Sequence, residues 1–415
     1  MNKKRVVITG MGVISPIGCT ISDFSRNLFA GHCGIAPIEG IHQPLPIQVA
    51  GQVHDFDPQS QGLSAGEARR SDRFSQFAVA AAIQAMQQSG LVAGTNIDAD
   101  RLGVYLGSGI GGMHTFIEQT KVLLNEGAHR ISPLFIPMMI SNIAAGNIAI
   151  RFQAQGPCLP AVSACATSTN TAGEAFRAIR HGYADAIITG GSEAAVNALA
   201  IGGFANSKAL STTTDPTQAS IPFDRRRNGF VMAEGAGVLI FEELEHALQR
   251  DAPILAEVVG YGNSCDAYHY TAPRPDGSAA AKAMRQALDE AGFRPGESLY
   301  INAHGTSTPL NDKTETAVIK LALGAEEAHR ASISSTKSMT GHMLGAAGAV
   351  ELIASVLALC NEQVPPTIGL TEADPDCDLD YTPGSAKPSK LDLALSNSLG
   401  FGGHNACVAL RHFIL

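Results

Sequence analysis

Ala80-Ala81-Ala82-Ile83-Gln84-Ala85-Met86-Gln87-Gln88-Ser89-Gly90 has an imperfect second copy in Ala280-Ala281-Lys282-Ala283-Met284-Arg285-Gln286-Ala287-Leu288-Asp289-Glu290-Ala291-Gly292. Each copy leads to a strand and a glycine-bearing loop, at Gly107 and Gly305. Ala184-Asp185-Ala186-Ile187-Ile188-Thr189-Gly190-Gly191 is likewise echoed by Leu391-Asp392-Leu393-Ala394-Leu395-Ser396-Asn397-Ser398, each a strand entered through an aspartate. A repeat on this scale makes the chain two similar α/β halves, 1–250 and 251–415. Alternating strands and helices predict largely parallel sheets covered on both faces, with ligand chemistry where strand ends of the two halves meet.

Outward from the first copy, Phe74 to Gly90 reads as one helix and Arg101 to Leu106 as a strand. Gly107-Ser108-Gly109-Ile110-Gly111-Gly112 follows as a loop, either a tight turn or a place where backbone approaches a ligand. Arg5-Val6-Val7-Ile8-Thr9-Gly10 is β-branched and turns at glycine, so it reads as a buried strand. Gly10-x-Gly12 lacks the third glycine of a dinucleotide fingerprint.

With 415 residues, 45% hydrophobic and 16% charged, the chain can fill one large or two medium cores. A net charge of −9 argues against a general nucleic-acid binder. The eight cysteines show no CxxC pair or metal-ligand spacing and read as reduced thiols of a cytoplasmic protein. Lys3-Lys4-Arg5 before an apolar run imitates a signal peptide, but Gly10, Gly12 and Pro16 interrupt it. The uncharged run Ile131–Ile150 is long enough to span a bilayer, yet its prolines, asparagines and serines favour a buried loop and helix, with no membrane insertion.

Pro160-Ala161-Val162-Ser163-Ala164-Cys165-Ala166-Thr167-Ser168-Thr169-Asn170 sets one cysteine where an extended run becomes a small-residue helix. The free N–H groups and dipole of a first helical turn favour thiolate, the reactive form. A free thiol has pKa ~8.5, so a shift of ~2 units, about 2.7 kcal/mol, is needed for thiolate to dominate at neutral pH. A helix end supplies at most ~2 kcal/mol. A nucleophile here therefore requires a further donor, most simply histidine; without one Cys165 is a buried structural cysteine. Three later stretches offer donors: Ile301-Asn302-Ala303-His304-Gly305-Thr306-Ser307-Thr308-Pro309, Ser334-Ser335-Thr336-Lys337-Ser338-Met339-Thr340-Gly341-His342 opening a helix that contains Glu351, and Asn397-Ser398-Leu399-Gly400-Phe401-Gly402-Gly403-His404-Asn405.

With these residues in order, the chain resembles the elongating β-ketoacyl-acyl-carrier-protein synthases of the thiolase-like family, closest to type II, from Val6 through Gly403. The resemblance implies a layered αβαβα core of two pseudo-repeated halves. It implies that Cys165 takes an acyl chain from carrier protein, that the N–H groups of Cys165 and Phe401 form an oxyanion hole, and that His304 and His342 hold the enolate left when malonyl-carrier protein loses carbon dioxide. Lys337 would order the site's electrostatics with Glu351 as its ion partner, or the two form a structural ion pair. Thr306 and Thr308 would bond the pantetheine arm or cap a turn, and Phe401 would be a movable gate or static packing. Ile110, Phe135 and Phe204 fall at positions that line the acyl pocket in similar enzymes. The resemblance further implies a homodimer, no metal, and no cofactor beyond the pantetheine arm of acyl carrier protein.

An acidic enzyme meeting an acidic carrier needs a basic mouth, for which Arg69, Arg70, Arg73, Arg130 and Lys208 are candidates. A polyketide-type ketosynthase would share these catalytic residues, whereas a non-catalytic chain-length subunit would not be expected to retain Cys165, His304 and His342.

Overall fold

The computed structural model describes residues 3–414. Nine strands form its main sheet: β1 Val6–Ile14, β2 Leu102–Gly107, β3 Ala186–Glu193, β4 Gly235–Glu243, β5 Ala256–Cys265, β6 Leu299–Asn302, β7 Ser332–Ser334, β8 Leu393–Gly400 and β9 His404–Arg411. Their order is β2-β3-β4-β1-β5-β9-β8-β6-β7. Both halves share a pattern, β2 and β3 parallel then β4 and β1 antiparallel, β6 and β8 parallel then β9 and β5 antiparallel, and the second half adds β7 in parallel outside β6. The halves join through β1 and β5, which share only the pairs Val6–Val258, Val7–Glu257 and Ile8–Ala256.

The expectation of largely parallel sheets is therefore corrected to a mixed sheet. The reason is visible at Phe401-Gly402-Gly403, a tight connection that returns β9 beside β8 and can only join antiparallel strands.

Four helices complete the layers: α1 Arg73–Ser89, α2 Thr167–Arg180, α3 Ser278–Ala291 and α4 Ala347–Asn361. α2 and α4 lie in the middle, where Phe176 and Leu352 share one core with Ile8 of β1 and Val408 of β9. α1 covers the outer face of β1–β4, and α3 that of the second half. The arrangement is the αβαβα stack that the family resemblance implies.

The repeated stretches are α1 and α3, and glycines show why they recur. A Cβ on Gly12 would meet the Ala81 carbonyl at 1.9 Å, and one on Gly262 the Ala283 carbonyl at 1.9 Å. Strand and helix backbones touch at both places. Gln84 Oε1 accepts the Val13 N–H at 3.2 Å, as Gln286 Oε1 accepts that of Asn263 at 3.2 Å. Gln88 and Glu290 do the same for Met11 and Tyr261. The copies thus align from their glycine ends, with Ala81 answering to Ala283.

The uncharged run Ile131–Ile150 is not one buried element. It breaks into the helices Phe135–Met139 and Ile143–Phe152 and leaves Leu134, Ile136 and Ile150 exposed. A different apolar stretch, Leu344–Asn361, is long enough to cross a bilayer, but 89% of it is buried as the central helix.

Candidate active site

Cys165 sits in a single 3-10 turn, Ala164–Ala166, that runs directly into α2. Ala164 adopts φ 51°, a left-handed conformation that costs a non-glycine residue strain and tips the next side chain out of the helix line. The Phe401 N–H points at the Cys165 sulfur. Gly400 makes that approach possible, since a Cβ there would lie 2.8 Å from the Ser163 carbonyl and 3.3 Å from the Cys165 nitrogen. Two backbone N–H groups, of Cys165 and Phe401, therefore flank the thiol.

Burial pushes the Cys165 thiol up to about 12, while Lys337 and the Phe401 N–H pull it back. From sequence, a nucleophilic thiol here requires a downward shift from the helix end together with a further donor. Desolvation of the charged form outweighs that pull in so enclosed a site, and the sulfur keeps its proton until an acceptor takes it.

His304 follows β6, and its main chain is fixed by a residue on the next helix, eleven positions on. Glu315, on the helix Pro309–Leu323, accepts the N–H groups of His304 and Gly305, both at 2.7 Å, and Asn397 Nδ2 at 2.8 Å. His342 donates its N–H to the Val231 carbonyl at 2.7 Å. The expected single helix from Lys337 to Glu351 is two: Lys337–Thr340 ends at Gly341 with φ 69°, and α4 starts at Ala347. That break swings His342 toward His304, whose rings meet at 85° with centroids 5.3 Å apart. The cysteine sulfur and one nitrogen of each imidazole lie within 4.8 Å of one another.

Lys337 pairs with Glu351 below the rings and donates to the His304 carbonyl at 2.6 Å, with both charged residues almost wholly buried. Burial first, then the Lys337 charge, holds both histidines well below the ordinary histidine value, so they are neutral at working pH. The Cys-His-His set does not suit a metal. Its neighbouring charge is a cation, and neither imidazole Nδ1 has the carboxylate or carbonyl partner that normally orients a ligating histidine.

One cavity of about 390 Å³ opens onto these groups, and its lining includes Cys165, His304, His342, Phe401, Phe204, Thr306, Thr308 and Lys208. The Thr306 and Thr308 hydroxyls are 2.9 Å apart at its side. Phe401 is half-buried, its ring 6.4 Å from that of Phe204. Gly402 and Gly403 after it have φ 86° and 78°, a backbone that allows the turn.

The expectation that Ile110 and Phe135 line the same space is not met within one chain. Ile110 is 38% exposed although its backbone N–H is held by Glu193, and Phe135 packs on Phe116, so neither side chain joins the lining of the cavity. Lys208 stands at the cavity mouth, whereas Arg69, Arg70 and Arg130 are exposed away from its lining. Arg73 is no free docking charge: it holds buried Glu234 at 2.8 Å and stacks on Phe77.

Sequence reasoning passed over Glu193 and Glu315. Asp312 and Glu315, spaced three apart on one helix and both buried, carried a readable signal. Glu193 stands two residues beyond the point where the repeated strand was cut short at Gly191.

The family model "Beta-ketoacyl synthase, N-terminal domain" matches residues 3–247, and "Beta-ketoacyl synthase, C-terminal domain" matches residues 255–371. The chain is 50% identical to 3-oxoacyl-[acyl-carrier-protein] synthase 2 of Synechocystis over 100% of this chain and 99% of that protein. It is 48% identical to the enzyme of the same name from Staphylococcus aureus strain COL, over 99% of each. Among solved structures, a β-ketoacyl synthase from Burkholderia phymatum superimposes with a TM-score of 0.92 at 33% identity, covering 99% of this chain and 100% of that one. A type II polyketide ketosynthase, solved with its acyl carrier protein and bound to the hexaketide, gives 0.91 at 35% over 99% and 100%.

Proposed function

The chain belongs to the β-ketoacyl synthase family, and from that premise we propose how its own residues carry out the elongating condensation of fatty-acid synthesis. The enzyme joins an acyl chain to malonyl-acyl-carrier protein and lengthens the chain by two carbons. The observation that carries the assignment of roles is the meeting of Cys165, His304 and His342 within 4.8 Å in one cavity.

In the first half-reaction the Cys165 sulfur attacks the thioester carbonyl of an acyl-carrier protein. With the thiol at about 12, its proton must leave as the sulfur attacks, and either neutral imidazole can take it. The Cys165 and Phe401 N–H groups stabilise the tetrahedral oxyanion. Collapse breaks the bond to the pantetheine sulfur, which leaves with the proton as a thiol.

In the second half-reaction the malonyl carboxylate departs as carbon dioxide, and its bonding pair becomes the enolate of the remaining thioester. His304 and His342 hold that oxygen as N–H donors, each such donor being worth about 2.7–4 kcal/mol of barrier. Their neutrality matters, since a neutral imidazole can donate to the enolate without surrendering its proton outright. The enolate carbon attacks the acyl-cysteine, and the sulfur leaves as thiolate and is reprotonated by a proton from solvent. No metal or redox cofactor has a part in these steps.

Phe401 serves as the gate over Cys165, Phe204 as acyl-pocket wall, and Thr306 and Thr308 as pantetheine contacts, consistent with their place around the cavity. Lys208 at the mouth receives the carrier, with Arg69, Arg70 and Arg130 as more distant attraction. The protein acts in the cytoplasm as a homodimer. The exposed apolar face of Leu134, Ile136 and Ile150 supplies an isologous contact, and it is there that Ile110 and Phe135 would complete an acyl pocket shared between subunits. The full-length identity to synthases of the fatty-acid type favours that pathway over a polyketide one.

Incubation with an acyl-carrier protein and malonyl-carrier protein, with the carrier-bound product read by mass spectrometry, tests the reading. A β-ketoacyl product two carbons longer is expected. Release of carbon dioxide without chain extension would overturn it.

A further inference from the structure

Glu193, wholly buried at the end of β3, has no part in the chemistry above, yet four donors converge on it. Its Oε1 accepts the Ser108 hydroxyl at 2.9 Å and the Ile110 N–H at 3.2 Å, and its Oε2 the N–H groups of Gly109 at 2.9 Å and Gly345 at 3.1 Å. Burial raises this carboxyl to about 7, and the four donors pull it back toward the ionised form.

The elements it binds are those that enclose the nucleophile. Gly109 lies against the turn of Cys165, since a Cβ there would be 3.8 Å from the Ala164 carbonyl and 3.6 Å from the Gly345 nitrogen. Gly345 follows Leu344, which faces the cavity and has φ 47°, a strained conformation that needs holding. The glycine loop leads into Met113, and Glu193 itself leads to Val196. Leu344, Met113, Val196 and Phe204 belong to the apolar cluster against which Cys165 packs, and of these Leu344 and Phe204 also line the cavity. Three of these four walls run back along the backbone to the one carboxylate.

We propose that Glu193 is a positioning and specificity-determining residue that sets how far an acyl chain may extend from Cys165, by locking the Ser108–Ile110 loop onto the Leu344–Gly345 turn. The proposal rests on the reading of Cys165 as the acyl acceptor. A chain attached to that sulfur must run past Leu344 and the side chains packed beside it, and their placement is fixed by hydrogen bonds to one buried carboxyl group as well as by apolar packing.

Glu193→Gln discriminates because glutamine keeps the shape and loses one acceptor. If its oxygen takes Gly109 and Gly345, its NH2 faces Ser108, whose hydroxyl can rotate to accept, and the Ile110 N–H, which cannot. The loop is then freed at Ile110 while the turn beside His342 stays held. Ser108→Ala removes one donor without touching the carboxylate and gives the same effect more weakly.

The test is the rate of Cys165 acylation, read by intact mass, with butyryl- and palmitoyl-carrier protein. In Glu193→Gln the palmitoyl-to-butyryl ratio of kcat/KM is expected to rise on the order of tenfold, as for loss of a hydrogen bond to an ion, and in Ser108→Ala by less. An unchanged ratio, whether or not both rates and the melting temperature fall together, would make Glu193 merely structural and overturn the proposal. Should Glu193→Gln fail to fold, the ratio in Ser108→Ala decides. Failure of the parent enzyme to be acylated by either carrier would instead overturn the assignment of Cys165.

Discussion

Replacing Lys337 with methionine separates an electrostatic role from simple packing, because methionine fills much of the same space without charge. The substitution leaves Glu351 buried with no cation, and its second oxygen has no partner to begin with. Breaking a buried ion pair from one side costs about 3–5 kcal/mol. That cost has a pH signature. Burial already raises the Glu351 carboxyl and Lys337 opposes the rise, so without Lys337 the folded state holds the carboxyl protonated. The unfolded chain ionises it above about 4.3, so the folded variant binds the extra proton and loses stability as pH rises past that value, at about 1.4 kcal/mol per unit. Chemical denaturation of the variant relative to the parent should therefore recover stability as pH falls from about 7.5 to about 5.5, at no more than about 1.4 kcal/mol per unit. Lys337→Met combined with Glu351→Gln removes the titrating group and should abolish that slope while recovering part of the stability. A single variant as stable as the parent at both pH values, with no recovery in the double, would refute the argument.

His304→Ala and His342→Ala should each still be acylated at Cys165, since the other imidazole can take the proton, but should slow condensation about 10²–10³-fold. Their double variant should fail at acylation as well, which single-turnover mass spectrometry would reveal. Alkylation of Cys165 by iodoacetamide should rise about tenfold per pH unit from about pH 7 to about pH 9, because the thiol stands at about 12 and thiolate grows with each unit; a plateau in that range would mean a preformed thiolate. Arg130→Glu with Lys208→Glu should lower kcat/KM for carrier-bound substrate and flatten its salt dependence, as expected of charges screened over roughly 8–10 Å, yet spare a small acyl-pantetheine thioester. Light scattering at micromolar concentration should give the mass of a dimer, and a monomer mass would contradict the shared interface.

The two-half organisation was legible because the repeat carries its own packing chemistry, while the layering came from the family resemblance. Ala81 and Ala283 must be small for Gly12 and Gly262 to approach, and Gln84 and Gln286 must reach strand N–H groups. Strand direction was not legible, since it depends on where β4 and β9 return and their apolar runs look alike in either sense. Cys165, His304 and His342 stood out through glycine, proline and hydroxyl punctuation in apolar surroundings. Glu193 did not, because a carboxylate that serves backbone N–H groups 84 and 152 residues away leaves no local pattern, whereas the spacing of Asp312 and Glu315 on one helix was there to be read. The state of the thiol was misjudged for a related reason. A helix terminus can be read from residues 160–170, but desolvation comes from elements far away in the chain. Ile110 and Phe135 were placed by family resemblance, and one chain alone does not bring them to the cavity.

The central claim is that Cys165 carries the acyl chain between the two half-reactions. It is tested most directly by intact mass after mixing the parent enzyme or Cys165→Ala with acyl-carrier protein alone, then adding malonyl-carrier protein. The parent should gain one acyl group that maps to the peptide containing Cys165, and the adduct should discharge when malonyl-carrier protein arrives. Cys165→Ala should gain nothing while keeping the parent's fold by circular dichroism, since the exchange removes the nucleophile and little volume. An acyl adduct on Cys165→Ala, or one on the parent that malonyl-carrier protein cannot discharge, would contradict the account.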